Sequence, residues 1–224
     1  MSRISEIFSA AGWVGWPLLA MSVLSVALCF ERAVYFALLR RQLRPERVAD
    51  AVRSLASTGD ASRVRDPGLI GNFSSAMASA SGGGPVGDAA VLAAGGVARS
   101  RLERFLPTLS TVITAAPMLG ILGTVTGIIQ SFGLLGSAEV ARDTTAMAAG
   151  ISEALYTTAF GLVIALVVLF PYNAFRGAAD RALATLETLG AAAIEGGNRQ
   201  TGDQPALASA SEIKAKISPA DSAS

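Results

Sequence analysis

Hydrophobic residues are concentrated in three long runs that are separated by polar stretches. The runs extend over residues 7–30, 109–135 and 146–175. A helix needs about 20 predominantly apolar residues to cross a lipid bilayer, and all three runs meet that length. The pattern predicts an all-α integral membrane protein, with three transmembrane helices and long cytoplasmic helical extensions.

These runs divide the chain into seven predicted segments. They are an N-terminal end with the first span at 1–39, a helical loop at 40–106, the second span at 107–136, a short loop at 137–145, the third span at 146–177, a helical extension at 178–195 and a tail at 196–224. The first run is longer than the core of a signal peptide, so we expect an uncleaved anchor. The tail is rich in Ala, Ser and Gly and is predicted to be disordered.

Arginine residues indicate which segments face the cytoplasm. Residues 40–104 contain ten arginines and six acidic residues, and the segment after the third run opens with Arg176 and Arg181. Basic residues close to a span mark its cytoplasmic side. We therefore predict that the long loop and the C-terminal segment are cytoplasmic, and that the N-terminus and the short loop lie on the opposite side.

Local signals within the long loop predict helices but no second globular domain. Residues 45–55 predict a short helix with Pro45 in its first turn. The run Ser-Gly-Gly-Gly-Pro at 81–85 predicts a break. Residues 88–106 have helical spacing, and we expect them to continue into the second span as one rod, bent at Pro107.

Composition narrows the possible chemistry. Charged residues make up 16% of the chain, whereas a soluble domain has about 25%. The net charge of +1 gives no reason to expect a nucleic-acid partner. The chain has no histidine and one cysteine, Cys29, which we expect to be buried and inert. We therefore predict no catalytic residue, metal site or bound cofactor, and an enzyme is the least favoured class.

Small and polar residues of the second span share one helical face. At 100° per residue they fall within an arc of about 100°. They are Ala116, Gly120, Gly123, Thr124, Gly127 and Ser131. Small residues let a neighbouring helix approach closely in a bilayer. We predict that this face packs against another helix or a partner.

The third span repeats this arrangement within an arc of about 140°. The residues are Ala146, Gly150, Glu153, Ala154, Thr157, Thr158, Gly161 and Ala165. Here too small residues are predicted to pack against a helix or a partner, namely Gly150, Ala154, Gly161 and Ala165. The same face carries Glu153, which is the one charged residue of the third run.

The polar residues on these faces allow two interpretations. Glu153, Thr157, Thr158 and Thr124 could line an ion path or polar cavity, because an intramembrane carboxylate is costly unless it faces protein or water. Alternatively, the threonines bond to their own helix carbonyls, and Glu153 reaches the headgroups. Hydroxyls order water but do not store the charge of a proton, so an ion path would need a carboxylate from a partner helix.

Two segments resemble blocks of the MotA/TolQ/ExbB family of proton-channel subunits. Residues 115–128 read AAPMLGILGTVTGI, and residues 151–162 read ISEALYTTAFGL, followed by Tyr172-Asn173. Glu31-Arg32 after the first run also fits the family. Three spans rather than four make the chain more similar to ExbB or TolQ than to MotA.

The resemblance implies a particular assembly and mechanism. It implies a ring, typically a pentamer, in the bacterial inner membrane, with the N-terminus periplasmic and the C-terminus cytoplasmic. The ring would enclose an ExbD/TolR-like single-span subunit that carries an aspartate in its span, and it would act on a TonB- or TolA-like protein. Protons would be the coupling ion, with sodium as the alternative. A membrane scaffold or a solute transporter subunit without proton coupling is the competing interpretation.

The resemblance also assigns roles to single residues. Thr124 and Thr158 match the family's pore-facing threonines, Glu153 matches the glutamate at the outer end of the third span, and Pro117 matches the proline that opens the first block. Where the family often has a proline after the second block, this chain has Leu166-Val167, and its proline is Pro171. We therefore predict kinks at Pro117 and Pro171, the second one nearer the cytoplasm.

Overall fold

The computed structural model describes residues 12–64, 66–133 and 144–202, which are helical apart from short connections. A 3₁₀ turn, Ala61–Arg63, also lies within these ranges. The α-helices are α1 (Gly12–Gln42), α2 (Pro45–Thr58), α3 (Leu69–Ala80), α4 (Asp88–Leu102), α5 (Leu106–Gly133) and α6 (Thr144–Thr201).

Three of these helices are long and apolar enough to cross a membrane. The spans are Trp13–Gln42, Leu106–Gly133 and Gly150–Gln200, in α1, α5 and α6. Large apolar side chains such as Phe30, Met118 and Phe170 are exposed on their surfaces, as expected where lipid or another subunit replaces water. The prediction of an all-α protein with three candidate spans is therefore confirmed.

The helix predicted at 45–55 is confirmed as α2, with Pro45 in its first turn. Gly59 ends α2 in the left-handed conformation, with φ of 58°, and donates its N–H to the Leu55 carbonyl. The break predicted at 81–85 lies between α3 and α4. Gly82 and Gly83 both have positive φ there, which glycine adopts readily.

The single rod predicted to join residues 88–106 to the second span is wrong. Helix α4 ends at Leu102 and α5 begins at Leu106, so residues 103–105 are not α-helical. The reason is Pro107, whose ring in a continuous helix would clash with the carbonyl four residues earlier. The chain therefore restarts with Pro107 in the first turn of α5, and Phe105 adopts φ of 68°. That left-handed conformation costs about 1–2 kcal/mol for a residue with a Cβ.

Helix α6 extends beyond the predicted helical extension. Its 58 residues run to Thr201, past the predicted end at residue 195. Gly196 and Gly197 are buried, and a Cβ on Gly196 would overlap the Leu55 carbonyl oxygen. The first residues of the predicted tail therefore belong to a packed helix, because they are small enough for α2 to lie against them. The rest of that tail lies outside the described residues.

The described residues test the predicted short loop and the predicted kinks only in part. Residues 134–143 lie outside the described residues, and α6 already begins at Thr144. Pro117 lies inside α5 and Pro171 inside α6. Both helices continue through these prolines without interruption, and the bends predicted there stay predictions.

The chain forms two compact units. The first comprises Met1–Leu38 and Leu102–Asp180, and the second comprises Leu39–Arg101 and Arg181–Ser224. Within the first, Val14, Leu18 and Ala116 form a buried cluster, and Met21, Leu119 and Ile164 pack against it. Within the second, Leu55, Ile70, Met77 and Leu189 are fully buried. All the predicted site residues belong to the first unit.

Candidate functional site

Helices α5 and α6 pack closely along their small residues. A Cβ added to Gly120 would lie 2.9 Å from the Thr157 carbonyl oxygen and 2.9 Å from the Thr158 Cα. A Cβ on Gly127 would lie 2.6 Å from the Ala154 Cβ. These distances are too short for real carbon atoms, so the two backbones can come this close only because the residues are glycines.

The same packing extends in both directions along the pair of helices. At one end, a Cβ on Gly161 would overlap the Ala116 carbonyl oxygen, and Ala165 is also buried. At the other end, a Cβ on Gly150 would overlap the Ser131 hydroxyl, which donates to the Gly127 carbonyl at 2.9 Å. The side chain of Ala146 lies outside the described residues.

Eight of the nine small residues predicted to pack are therefore placed in the contact between α5 and α6, and the ninth, Ala165, is buried. Gly123 completes the set, because a Cβ there would overlap the Thr157 side chain. The contact lies within one chain, so these small residues already pack against a helix of the same subunit. The two faces identified from the sequence are complementary surfaces of one helix pair.

Two threonines of α6 donate hydrogen bonds to the same backbone carbonyl of α5. The Thr158 hydroxyl donates to the Gly120 carbonyl at 2.8 Å. The Thr157 hydroxyl is 2.7 Å from the Ala154 carbonyl of its own helix and 3.2 Å from the Gly120 carbonyl. Thr157 is only 2% exposed. Its hydroxyl is thus enclosed in the helix contact, and Thr158 lies at the border of that contact.

The Thr124 hydroxyl faces the same border from α5. It donates to the Ile121 carbonyl of its own helix at 2.7 Å, and its oxygen is 3.5 Å from the Thr158 hydroxyl oxygen. Thr124 and Thr157 therefore bond to carbonyls of their own helices, as the alternative interpretation of the threonines predicted. Thr158 bonds across the contact instead.

Glu153 is not brought to this pair of hydroxyls. It is exposed on α6, beside the buried Ala154. Glu153 and Thr158 are five residues apart, which places them about 140° apart around the helix. Their positions lie on opposite borders of the buried face of α6, so one chain does not assemble all four polar residues into a single lining.

The arrangement fits water ordering better than proton storage. Thr124 and Thr158 present adjacent hydroxyl oxygens that can each accept a hydrogen bond from water. Neither hydroxyl titrates in the range where a relay group must change charge. The shared acceptor, the Gly120 carbonyl, could not be identified from the sequence, because every residue carries a carbonyl and only the helix packing selects this one.

Comparisons with known proteins cover the sequence of both helices. The model of the MotA/TolQ/ExbB proton channel family matches residues 88–188, which include Thr124, Glu153 and Thr158. The chain is similar to biopolymer transport protein ExbB-like 3 of Synechocystis sp., with 34% identity over 80% of this chain and 87% of that protein.

More distant relatives come from other groups. An ExbB homolog of Methanothermobacter thermautotrophicus is 29% identical over 83% of this chain and 67% of its own length. The Tol-Pal system protein TolQ of Pseudomonas aeruginosa is 44% identical over a shorter stretch of 75 residues, or 34% of this chain and 32% of its own. The similarity thus extends to both the ExbB and the TolQ branches.

Proposed function

Because the chain belongs to the MotA/TolQ/ExbB proton channel family, we propose that it is the channel subunit of an inner-membrane complex that converts the proton gradient into mechanical work. The observation that carries this proposal is the pair of hydroxyls on Thr124 and Thr158. They come from two adjacent spans and lie 3.5 Å apart at the border of a closely packed contact.

The pair forms one side of a proton path in this proposal. A path across the bilayer needs a group that changes its charge, and Glu153 lies on a different border of α6. A partner helix that carries a carboxylate would complete the path when it lies against Thr124 and Thr158. One charge that moves through 100 mV releases about 2.3 kcal/mol, so a substantial mechanical step requires several protons.

The proposed assembly is a ring of five copies around the span of an ExbD/TolR-type subunit, which transmits work to a TonB- or TolA-like protein. Support comes from the relatives named ExbB and TolQ and from the exposed apolar surfaces of α1, α5 and α6. In this arrangement the N-terminus is periplasmic and the C-terminus is cytoplasmic. Sodium is the alternative coupling ion, because hydroxyl and carbonyl oxygens are suitable ligands for it.

Isolation of the native complex tests this proposal. The chain would be tagged, purified from membranes of its own organism in mild detergent, and weighed intact by native mass spectrometry. We expect several copies of the chain together with a small protein that has one span and an aspartate within it. Recovery of the chain alone, or with a partner whose span lacks a titratable residue, would favour the scaffold interpretation.

A further inference from the structure

Arg32 is a buried charged residue of α1 that lies just after the first hydrophobic run. Its side chain is 2% exposed. The Nε atom lies 2.9 Å from a carboxylate oxygen of Glu31, and Nη1 donates to the Leu102 carbonyl at 3.5 Å. A buried guanidinium is tolerated only where its charge and its donors are matched. The position of Arg32 therefore depends on the groups around it.

The surroundings of Arg32 form a cation–π cluster. The Arg32 guanidinium carbon lies 4.9 Å from the centre of the Tyr35 ring and 5.1 Å from the centre of the Phe105 ring. The Arg104 guanidinium carbon is 4.7 Å from the Phe105 ring as well. Such contacts are stronger when they are shielded from water, as they are around Arg32.

This cluster lies at the joint where α4 ends and α5 begins. Leu102 is the last residue of α4, and its carbonyl is one of those that helix geometry leaves without a partner in the same helix. Phe105 is the residue of the joint with a left-handed backbone, at φ of 68°. A bulky residue keeps this conformation only when other contacts hold it. Arg32 contacts both Leu102 and Phe105.

Aromatic contacts connect the cluster to the third span. The rings of Tyr35 and Phe36 meet edge to face, with centroids 5.4 Å apart. Phe36 stacks on Phe175 of α6, with centroids 5.6 Å apart. Both rings are buried. Residues 32–36 of α1 thus contact both the joint before α5 and Phe175 of α6.

We propose that Arg32 is a positioning residue that holds the joint at residues 102–106 in its left-handed turn, and thereby sets the start of the span that carries Thr124. The importance of that span rests on the proposed function, but the contact itself does not. Lysine would not replace Arg32 fully, because its compact ammonium cannot lie flat against the Tyr35 and Phe105 rings while donating to the Leu102 carbonyl.

Limited trypsin digestion of the purified complex tests this role. Trypsin cleaves after arginine, so cleavage after Arg101 and Arg104 reports on the joint. We expect Arg32→Gln to raise the rate of cleavage there at least fivefold, and Arg32→Lys to raise it by less. Cleavage after the exposed Arg53 and Arg63 serves as an internal control and should stay unchanged.

Phe105→Leu provides a second route to the same test if Arg32→Gln fails to accumulate. Leucine keeps the apolar bulk but removes the ring face, so cleavage at the joint should rise as it does for Arg32→Gln. The effect of the double variant should then be smaller than the two single effects combined, because Arg32 and Phe105 share one interaction.

Unchanged cleavage at the joint in these variants would overturn the proposal, as would an equal rise at Arg53, which indicates general unfolding. The digestion measures only the joint. A failure of the proposed function, which is read from the native complex, is therefore distinguishable from a failure of this inference.

Discussion

At the scale of single residues, the most informative positions are the glycines that have no room for a side chain. Gly161 lies against the backbone of Ala116, and Gly120 lies against the backbones of Thr157 and Thr158. Backbone atoms cannot rotate away as a flexible side chain can. These glycines therefore fix the separation of α5 and α6, and with it the distance between the hydroxyls of Thr124 and Thr158.

Gly161→Ala should separate the two spans. The added methyl group would overlap the Ala116 carbonyl oxygen, and overpacking of this kind costs about 1–3 kcal/mol. We expect a lower thermal unfolding midpoint for the purified complex, and the variant should lose the bond from Thr158 to the Gly120 carbonyl. Gly96→Ala is the matched control, because a Cβ there meets no described atom within 4 Å. Equal midpoints for both variants would show that the contact is looser than described.

The sequence could predict which face carries the small and polar residues. It could not predict which of the polar residues are buried in the helix contact and which lie at its borders. Helical periodicity placed Glu153, Thr157 and Thr158 on one face, because an arc of about 140° includes all three. The structure separates them into one buried position, Thr157, and two opposite borders. That division depends on the position of the neighbouring helix axis. The periodicity of one helix gives no information about that position.

At the scale of elements, the spans were predictable and the connections between them were not. Long apolar runs define α1, α5 and α6 because the bilayer sets their length. Helix α3 was not predicted. Its sequence contains Gly71, Asn72 and several serines, all weak helix formers. Burial of Ile70, Phe73 and Met77 stabilises it instead.

Close packing also explains why α6 continues beyond its predicted end. Composition alone suggested disorder from residue 196, because alanine, serine and glycine bury little surface. In the second unit, however, Gly196 and Gly197 lie where α2 ends at Gly59. Small residues at this crossing allow contact between backbones, so the property that suggested disorder is the one that permits packing.

Gly196→Ala tests this crossing. The added methyl group would overlap the Leu55 carbonyl oxygen and lie 2.7 Å from the Gly59 nitrogen. We expect the end of α2 to open, at a cost of about 1–3 kcal/mol. Hydrogen exchange should show faster exchange of the Gly59 amide, which donates to Leu55. Gly95→Ala, with no described atom within 4 Å of the added carbon, should leave that amide protected. Equal protection in the two variants would argue against the crossing.

At the scale of the whole molecule, the proposed function makes the chain one component of a channel. Its helix pair supplies closely spaced hydroxyls and a separate carboxylate, Glu153. The small residues that could have packed against a partner helix already form the contact between α5 and α6. Partner contacts should therefore involve the borders of the pair, where Thr124 and Thr158 are half-buried, rather than the glycine contact itself.

Proton flux through the native complex in sodium-free liposomes, driven by a potassium diffusion potential and followed with a pH-sensitive dye, tests the central claim most directly. The account predicts flux through the complex and none through the chain produced alone by cell-free synthesis. The double variant Thr124→Val and Thr158→Val should reduce the flux at least tenfold while the complex stays assembled. Thr126→Val, which removes a hydroxyl bonded to its own helix, should keep it. Full flux through the chain alone, or through the double variant, would contradict the account.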